Sequence, residues 1–517
     1  MIAGYATYEE ARQHFRWSDR WRLLGVDPAT FNLTEHCIDR PIRAGRGAAT
    51  AARIVHSSGK YESYTFDELR EASGRAATWL RALGLTKGTP VLVMVNPGLA
   101  WLSLHFAALR IGAPVVPASP VVGADSLQLR VAESGAQLVV ASALEVDMAM
   151  LTSEVNCRVV DEVDVLRVID DAAIPGYFGV AAGGGDPASF VFSSGTTGRP
   201  KRTVMSHRSY TFNALAVGGF VLGLTPADRY LKCGSTAWGG AFGWGVVTPM
   251  LNDTAAGIYA GSLDGEVLAR AIRDLQLSVL WCPPSGVRRL LKVASSDLSL
   301  RKIGYAGEGA SAALIAEAKA KFGAVMYGHY GATEVGLLTA DYSFPDYDPR
   351  PGSLGRPLLG VDVAVLGETD TVVGNGEQGE LAVRRDNRWH RTGDLGHQDS
   401  DGYLWLTGRV DDVIISGGYT IGPAEVEDCI RSHLAVNDVG VVGVPESDRG
   451  VIVKAFVELS EGETSSLALE QEIVDLVRRR VGKYAYPRSV EFVEELPRGD
   501  GGKVQRSRLR DQTGVAP

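Results

Sequence analysis

The stretch Ser189-Phe190-Val191-Phe192-Ser193-Ser194-Gly195-Thr196-Thr197-Gly198-Arg199-Pro200-Lys201 decides how the rest of the chain is interpreted. Its apolar first part is typical of a buried strand, and that strand runs into a turn rich in glycine and hydroxyl side chains. The glycines let backbone N–H groups approach anionic oxygens, the hydroxyls donate further hydrogen bonds, and Lys201 supplies positive charge. The segment predicts a polyphosphate loop, with a flexible surface loop as the alternative. It departs from the common P-loop because Gly195 and Gly198 are too close together and Pro200 precedes the lysine.

Length and composition predict a soluble protein of two or more domains. The chain has 517 residues, more than one ordinary core accommodates, with 45% apolar and 22% charged residues. A net charge of -9 gives no electrostatic reason to expect nucleic acid or an anionic membrane as a partner. No window reaches the roughly 18 uncharged apolar residues of a membrane span, and the first residues lack the pattern of a signal peptide. We therefore expect a cytoplasmic protein, and the sequence favours no particular oligomeric state.

The cysteines support the same compartment. They are scattered without paired spacing, which argues against a zinc site or a disulfide framework and fits a reducing cytosol. The five cysteines are Cys37, Cys157, Cys233, Cys282 and Cys429.

Hydrophobic periodicity predicts an α/β fold. Residues 66–83 and 267–276 have apolar side chains at helical spacing, and short continuous apolar runs such as 91–95, 138–140 and 278–281 lie between such helices. Strands that are buried on both faces and alternate with helices indicate parallel sheets. We expect two parallel-type α/β sheet subdomains in a large N-terminal domain.

The pattern changes twice towards the C-terminus. From about residue 352, short strands with Gly, Asp and Asn turns at 361–366, 379–383 and 403–406 predict a β subdomain, which completes an N-terminal domain of residues 1–410. Residues 411–517 form a small α+β domain in this prediction. Its elements are a helix at 423–432, strands at 439–444 and 451–459, a helix at 467–481 and a strand at 490–493.

Four further segments carry chemistry. Residues 330–334 place a hydroxyl beside a carboxylate just after a predicted strand, where ligands of open α/β sheets bind. Residues 391–394 offer a turn carboxylate that suits ribose hydroxyls. Residues 408–412 carry charge at the predicted domain junction, and residues 502–506 place a lysine in a glycine-rich turn. Each segment is weak evidence alone, but the ordered set is strong.

This ordered set resembles the adenylate-forming superfamily of acyl-CoA synthetases, firefly luciferases and nonribosomal peptide adenylation domains, across about residues 50–510. Residues 200–207, 415–423 and 483–488 are most similar to medium-chain acyl-CoA and benzoate-type CoA ligases. The resemblance implies ATP, Mg²⁺ and CoA as ligands and a mobile C-terminal domain.

The resemblance also implies a role for each matching residue. Thr333 would bind the α-phosphate and Glu334 would hold Mg²⁺, while Lys503 would contact the attacking carboxylate and the α-phosphate as catalytic residue. Asp394 would accept hydrogen bonds from the ribose, with Arg409 nearby. The β- and γ-phosphates would be held by Ser193, Ser194, Gly195, Thr196, Thr197, Gly198 and Lys201, and the adenine and acyl sites bordered by Gly307, Glu308 and Tyr330.

For the second half-reaction, the resemblance implies a hinge at Asp411 and a tunnel for the CoA pantetheine. The tunnel would be lined by Gly417, Gly418 and Tyr419, although an ordinary turn is the alternative. Close relatives usually carry arginine where this chain has Thr420, which puts a CoA phosphate contact in doubt. The residues before Lys503 also depart from the family pattern, but the lysine itself is kept.

By analogy, an acyl pocket for an aryl or short-to-medium acid would be lined by Trp238, Gly239, Phe242, Ala306, Gly331, Leu337 and Leu338. Alternatively, Trp238, Phe242 and Trp244 are core aromatics. His207 and His329 flank motifs and either contact the substrate or are packed within the protein.

The leading hypothesis is an ATP-dependent acid–CoA ligase that acts on a small-molecule carboxylic acid. A second hypothesis keeps adenylation but transfers the acyl group to a carrier protein or an amine. A variant of it is ATP-dependent nitrite activation for aryl amine diazotisation, which the altered CoA loop weakly favours. A third is a catalytically silent nucleotide-binding regulator, against which the retained Lys201, Thr333, Glu334, Asp394 and Lys503 argue.

Overall fold

The computed structural model describes residues 4–118, 124–144, 146, 148, 151–152, 155, 157–193, 201–234, 240–293, 297–307, 309–332, 335–410, 412, 414–416, 419–446, 450–482, 485–499 and 504–512. The chain folds into two compact units. The first unit is Met1–Gly336 with Ala340–Pro351, and the second unit is Leu337–Thr339 with Gly352–Pro517. The predicted boundary at Asp411 stays a prediction, because that residue lies outside the described ranges.

The strands of the first unit form parallel sheets, as the apolar runs predict. In chain order they are β1 Thr50–His56, β2 Tyr61–Thr65, β3 Val91–Met94, β4 Val115–Pro117, β5 Leu138–Ala141, β6 Arg158–Asp161, β7 Pro187–Ser193, β8 Lys201–Ser206, β9 Tyr230–Lys232, β10 Ala256–Ala260, β11 Val279–Trp281, β12 Lys302–Tyr305 and β13 Val325–Ala332. The order in one sheet is β6-β5-β3-β4-β7-β8, and another contains the run β13-β12-β11-β9-β10-β1-β2. Neighbours are parallel except for the antiparallel pairs β7–β8 and β1–β2.

Helices connect these strands. The α-helices of the first unit are Tyr8–His14, Arg20–Leu23, Arg40–Arg43, Phe66–Ala82, Leu99–Ile111, Ala124–Ser134, Glu162–Asp170, Ser209–Asn213, Gly240–Phe242, Thr248–Leu251, Gly265–Asp274, Pro284–Val293 and Ala312–Phe322. Phe66–Ala82 begins with a capping box, in which the Glu68 N–H donates to Thr65 Oγ1 at 3.2 Å and the Thr65 N–H donates to the Glu68 carboxylate at 2.7 Å. Its apolar stripe, including Leu69 and Leu80, is buried as the helical spacing predicts.

The second unit contains an antiparallel sheet followed by a small α+β arrangement. Strand β14, Gly336–Ala340, straddles the boundary of the units. The antiparallel order β16-β17-β18-β19 comprises Val363–Leu366, Gly379–Arg385, Arg388–Gln398 and Leu404–Arg409, after the short β15, Arg356–Pro357. The remaining elements are β20 Ile414–Ser416, β21 Tyr419–Ile421, helix Pro423–Arg431, β22 Val436–Glu446, β23 Gly450–Leu459, helix Leu467–Arg480, β24 Ser489–Val493 and helix Arg506–Gln512. The predicted fold class is confirmed.

Two features bear on the predicted compartment and partners. Each of the five cysteines is free. Over the ranges given above, no helix has both the length and the apolar character that crossing a membrane requires.

Buried histidines should make the protein sensitive to acid. Burial lowers the pKa values of His105 and His207 to about 4, so the folded state resists protonation that the unfolded state accepts near pH 6.5. The stability that each neutral imidazole contributes is complete above about pH 6.5 and is lost as the pH falls towards 4. At pH 5 the loss in the free energy of unfolding is about 2 kcal/mol for each imidazole. Urea unfolding measures the free energy of unfolding at pH 7 and at pH 5. The decrease between the two pH values should be smaller for His105→Gln than for the wild type. A matched change at the exposed His14 should leave the loss unchanged, and equal losses in all three proteins would contradict the argument.

Candidate active site

The predicted phosphate loop joins two antiparallel strands. Ser193, at the end of β7, lies opposite Lys201, at the start of β8, so the chain leaves and re-enters the sheet at one paired position. The connecting residues Ser194, Gly195, Thr196, Thr197 and Gly198, like the side chains of Ser193 and Lys201, lie outside what the structure describes. The sequence predicts the strand before the loop but gives no signal for the antiparallel partner after it.

The carboxyl ends of β12 and β13 bring several predicted residues together. Tyr305 on β12 lies opposite Gly328 on β13, and Ala306 and Gly307 follow directly. Gly307 has φ +87°, in the left-handed region that favours glycine. The expectation that Tyr330 follows a strand is wrong by a few residues, because β13 continues to Ala332. Glu308, Thr333 and Glu334 fall outside the described ranges.

The proposed acyl-pocket residues are only partly described. Ala306, Leu337 and Leu338 are buried, the two leucines belong to the second unit, and Gly331 is exposed. Trp238 and Gly239 are not among the described residues. Phe242 packs in the core, with ring centroids 4.6 Å from His105 and 5.7 Å from Trp101. These contacts are those of a core aromatic, while its role in the pocket stays a prediction.

His207 has a structural environment. It is fully buried, and its Nδ1 accepts a hydrogen bond from the Leu33 N–H at 3.1 Å. This contact matches the packed alternative that the sequence left open for this histidine.

Sequence reasoning singled out His329 but missed Lys232 and Trp281, which lie near it at the strand ends. Lys232 at the end of β9 is buried, and its Nζ donates to the Gly234 carbonyl at 3.2 Å. Burial lowers the pKa of Lys232 to about 8. The ring of Trp281 lies beneath this ammonium, and the ring of Trp281 in turn neighbours that of His329 at 6.0 Å between centroids. The available signal was a lysine inside the apolar run that contains β9.

Asp394 and Arg409 form an ion pair in the second unit. They lie opposite each other on β18 and β19, and Arg409 Nη1 donates to Asp394 Oδ1 at 3.1 Å. The expectation that residues 391–394 form a turn is wrong, because they lie inside β18. Gly393 keeps this strand irregular with φ +77°, and a Cβ there would lie 2.8 Å from Arg409 Nη2.

A neighbouring network fixes the segment before Asp394. Glu380 on β17 accepts hydrogen bonds from the Gly393 N–H and from Arg391, both at 2.8 Å. Arg391 also donates to Asp370 at 2.7 and 2.9 Å. This network holds the strand residues next to Asp394 in place, and it joins positions too distant in sequence for a motif to reveal.

The segments around the proposed hinge and catalytic lysine are joined by ion pairs within the second unit. Asp412 accepts from Arg506 and Arg510, each at 3.0 Å. Arg506 also donates to both carboxylate oxygens of the buried Glu427, at 2.8 and 2.6 Å, which raises the pKa of Arg506. Asp411 and Lys503 are themselves beyond the described residues, but the residues that follow each of them are linked.

Ser416 and Tyr419 lie opposite each other on β20 and β21, so the chain re-enters the sheet at Tyr419, the last residue of the predicted CoA loop. Gly417 and Gly418, between them, are outside the described ranges, as is the side chain of Tyr419. In the part of the chain that the structure describes, no group of three or more His, Cys, Asp or Glu residues has the arrangement of a metal site. The predicted Mg²⁺ ligand, Glu334, is not in that part.

Comparison with known proteins identifies the family. The model of the AMP-binding enzyme family matches residues 43–388, and the model of the AMP-binding enzyme C-terminal domain matches residues 425–503. The chain belongs to the AMP-binding enzyme family. The resemblance to the adenylate-forming superfamily, drawn from the motifs, is thereby confirmed.

Several named proteins are similar to this AMP-binding enzyme over nearly its whole length. The uncharacterized acyl-CoA ligase YtcI of Bacillus subtilis (strain 168) is 30% identical and covers 94% of this chain and 96% of its own length. The mitochondrial acyl-coenzyme A synthetase ACSM4 of Homo sapiens is 30% identical, and the match covers 94% of this chain and 91% of ACSM4. In the crystal structure of a Brucella canis acyl-CoA synthetase the chain is 29% identical. The match covers 98% of this chain and 99% of that chain, with a TM-score of 0.75.

Breaking the buried network at Arg506 should destabilise the protein strongly. Arg506→Met leaves the carboxylate of Glu427, which is 4% exposed, without its charged partner, at an expected cost of about 3–5 kcal/mol in the free energy of unfolding. Arg167→Met removes an exposed pair with Asp164 and should cost no more than about 1 kcal/mol. Urea unfolding followed by circular dichroism measures both. If Arg506→Met lowers the free energy of unfolding as little as Arg167→Met does, the network contributes little to stability.

Proposed function

We propose that this AMP-binding enzyme is an ATP-dependent acid–CoA ligase of the AMP-forming type. The observation that carries the proposal is the similarity to an acyl-CoA ligase at 30% identity over 94% of the chain. In the first step the substrate carboxylate attacks the α-phosphorus of ATP, and the bond to pyrophosphate breaks to give acyl-AMP. In the second step the CoA thiol attacks the acyl carbon, and AMP leaves.

Each predicted site residue then has a place in the first step. We assign the β- and γ-phosphates to the loop between Ser193 and Lys201, whose two ends the β7–β8 pair holds together. Thr333 binds the α-phosphate, and Asp394 accepts from the ribose while Arg409 orients its carboxylate. Lys503 neutralises charge between the attacking carboxylate and the α-phosphate. Mg²⁺, a hard cation that suits the Glu334 carboxylate, would offset phosphate charge when bound.

The second step requires the catalytic lysine to leave. We assign the hinge to Asp411 and the pantetheine contact to Gly417, Gly418 and Tyr419. The ion pairs of Asp412 with Arg506 and Arg510 support this assignment, because they tie the segment after the hinge to the segment after Lys503. Residues 412 and 504–512 would then move as one body when the small domain rotates.

The acid is proposed to be an aryl or a short-to-medium-chain carboxylic acid. The indole rings of Trp244 and Trp281, 5.0 Å apart, provide flat apolar surface, and Trp281 lies beside Gly304, two residues before Ala306. The free cysteines support a reducing, cytoplasmic compartment. A second candidate changes only the acceptor, to a carrier protein, an amine or nitrite, and the observation favouring it is Thr420 at the position where close relatives usually carry arginine.

Product analysis tests the ligase proposal. The protein is incubated with MgATP and a panel of aryl and short-to-medium acids, with and without CoA, and the products are identified by mass spectrometry. We expect AMP together with a CoA thioester. Lys503→Ala should lower acyl-AMP formation by ~100-fold or more, since a catalytic electrostatic contact is lost, while the circular dichroism spectrum is retained. AMP without thioester would favour the other acceptors, and unchanged activity of Lys503→Ala would overturn the assignment.

A pair of glycine variants tests the nucleotide role of Asp394 and Arg409. Gly393→Ala and Gly376→Ala both place alanine at a positive φ, +77° and +82°, so each should cost about 1 kcal/mol of stability. Only the Cβ at 393 would meet the Arg409 guanidinium, whereas the Cβ at 376 meets nothing within 4 Å. Isothermal titration with ATP should therefore give a dissociation constant about tenfold higher for Gly393→Ala alone, which is the effect of about 1.4 kcal/mol. Equal affinities in the two variants would contradict the assignment.

A further inference from the structure

The side chains of Lys232, Trp281 and His329 lie on one face of the first unit's parallel sheet. Lys232 and Trp281 are opposite each other on β9 and β11, and the same row continues through Gly304 on β12 to Tyr327 on β13. His329 is two residues beyond Tyr327, so it returns to the same face nearer the carboxyl end. We call Lys232, Trp244, Trp281 and His329 the strand-end polar cluster.

The three aromatic members of the cluster contact each other through their rings, and Lys232 approaches one of these rings. The centroid of Trp281 is 5.0 Å from that of Trp244 and 6.0 Å from that of His329, and Trp244 meets His329 edge-on at 5.4 Å. Lys232 Nζ lies 5.7 Å from the Trp281 centroid. Gly304 leaves room for this arrangement, because a Cβ there would lie 3.0 Å from Trp281 Cδ1.

The ring nitrogens of Trp281 and His329 are buried, and within the described part of the chain they have no hydrogen-bond partner. Lys232, Trp281 and His329 are 2%, 4% and 5% exposed. Counting partners only among the described residues, Trp281 Nε1 and both ring nitrogens of His329 make no hydrogen bond. Burying such groups unpaired is costly, and a bound ligand that pairs with them removes that cost.

The cluster presents hydrogen-bond donors and one cation. An indole nitrogen only donates, and a neutral imidazole carries one donor. Burial lowers the pKa of His329 to about 3, which keeps this ring neutral, whereas a pKa of about 8 leaves Lys232 mostly charged at pH 7. The complementary ligand group is therefore an oxygen acceptor, and an anionic one is favoured.

We propose that the strand-end polar cluster recognises a second oxygen-bearing group on the acyl part of the acid, such as a further carboxylate, a carbonyl or a phenolic oxygen. This inference rests on the proposed function. Trp281 and His329 lie beside the strand ends that lead to Ala306, Gly307, Tyr330 and Gly331, the residues assigned to the acyl side of the site. The substrate class is thus narrowed from aryl or aliphatic acids in general to those that carry an additional acceptor.

Matched acids test the inference. Pyrophosphate release is measured with pairs of similar size, namely butyrate with succinate, hexanoate with adipate, and benzoate with 4-hydroxybenzoate and terephthalate. In at least one pair, kcat/KM should favour the oxygenated acid by ~100-fold or more, because a site built to hydrogen-bond a group rejects analogues that lack it. Preference for the hydrocarbon member in every pair would overturn the inference while leaving the ligase function intact.

Variants connect this preference to the cluster. Trp281→Phe removes the indole N–H together with part of the buried ring system, and His329→Leu removes both ring nitrogens. Each should lower the preference ratio by about tenfold or more while turnover of the hydrocarbon acid is retained, which also shows that the variant is folded. Lys302→Met is the matched control, since Lys302 is a partly buried lysine at the amino end of β12 and should leave the ratio unchanged.

The outcomes separate the two proposals. An unchanged ratio in both Trp281→Phe and His329→Leu would overturn the role of the cluster. If no acid of the panel releases pyrophosphate, the ligase proposal itself fails, and the inference that rests on it fails with it.

Discussion

The parallel pairing of β9, β11, β12 and β13 is the constraint on which the first unit's part of the site depends. Parallel strands cannot be joined by tight turns, so each is followed by a longer crossover, and their carboxyl ends meet at one edge of the sheet. The register places Lys232 opposite Trp281, and Tyr305 opposite Gly328. Residues from distant parts of the sequence therefore converge at that edge, and the chemistry of the edge follows from which side chains those positions carry.

The second unit solves a different problem, that of holding charged groups in place. Asp394 is paired across two strands with Arg409, and Asp412 with Arg506 and Arg510. A buried carboxylate such as that of Glu427 is tolerated only because Arg506 and the Val441 N–H satisfy it. These pairs stiffen the residues next to the proposed ribose contact and next to the proposed catalytic lysine.

Most elements were predictable because their hydrophobic periodicity is strong. The helix expected at 423–432 is Pro423–Arg431, and the strand expected at 451–459 is Gly450–Leu459. The errors have local causes. Residues 391–394 carry the sequence of a turn, yet strand pairing with β17 and β19 accommodates Gly393 at positive φ, where it leaves room for Arg409. Periodicity does not report such long-range contacts.

The sequence predicted which residues belong to the candidate site, but it did not predict which other residues hold them in place. Motifs named Asp394, Arg409 and Lys503, but Glu380, Asp412 and Glu427 act through contacts that only folding creates. The sequence singled out His329 but not its grouping with the lysine and the two indoles, because residues on separate elements form no linear pattern. The shared face of the sheet unites Lys232, Trp281 and His329, and ring contacts bring Trp244 to them.

The most direct test of this account is a crystal structure of the enzyme with AMP and the oxygenated acid that it uses best. The account predicts that the acyl group lies at the carboxyl ends of β11–β13, with an oxygen within hydrogen-bond distance of Trp281 Nε1 or a His329 ring nitrogen. An acyl group that is bound elsewhere, or one that leaves those nitrogens unpaired, would contradict it.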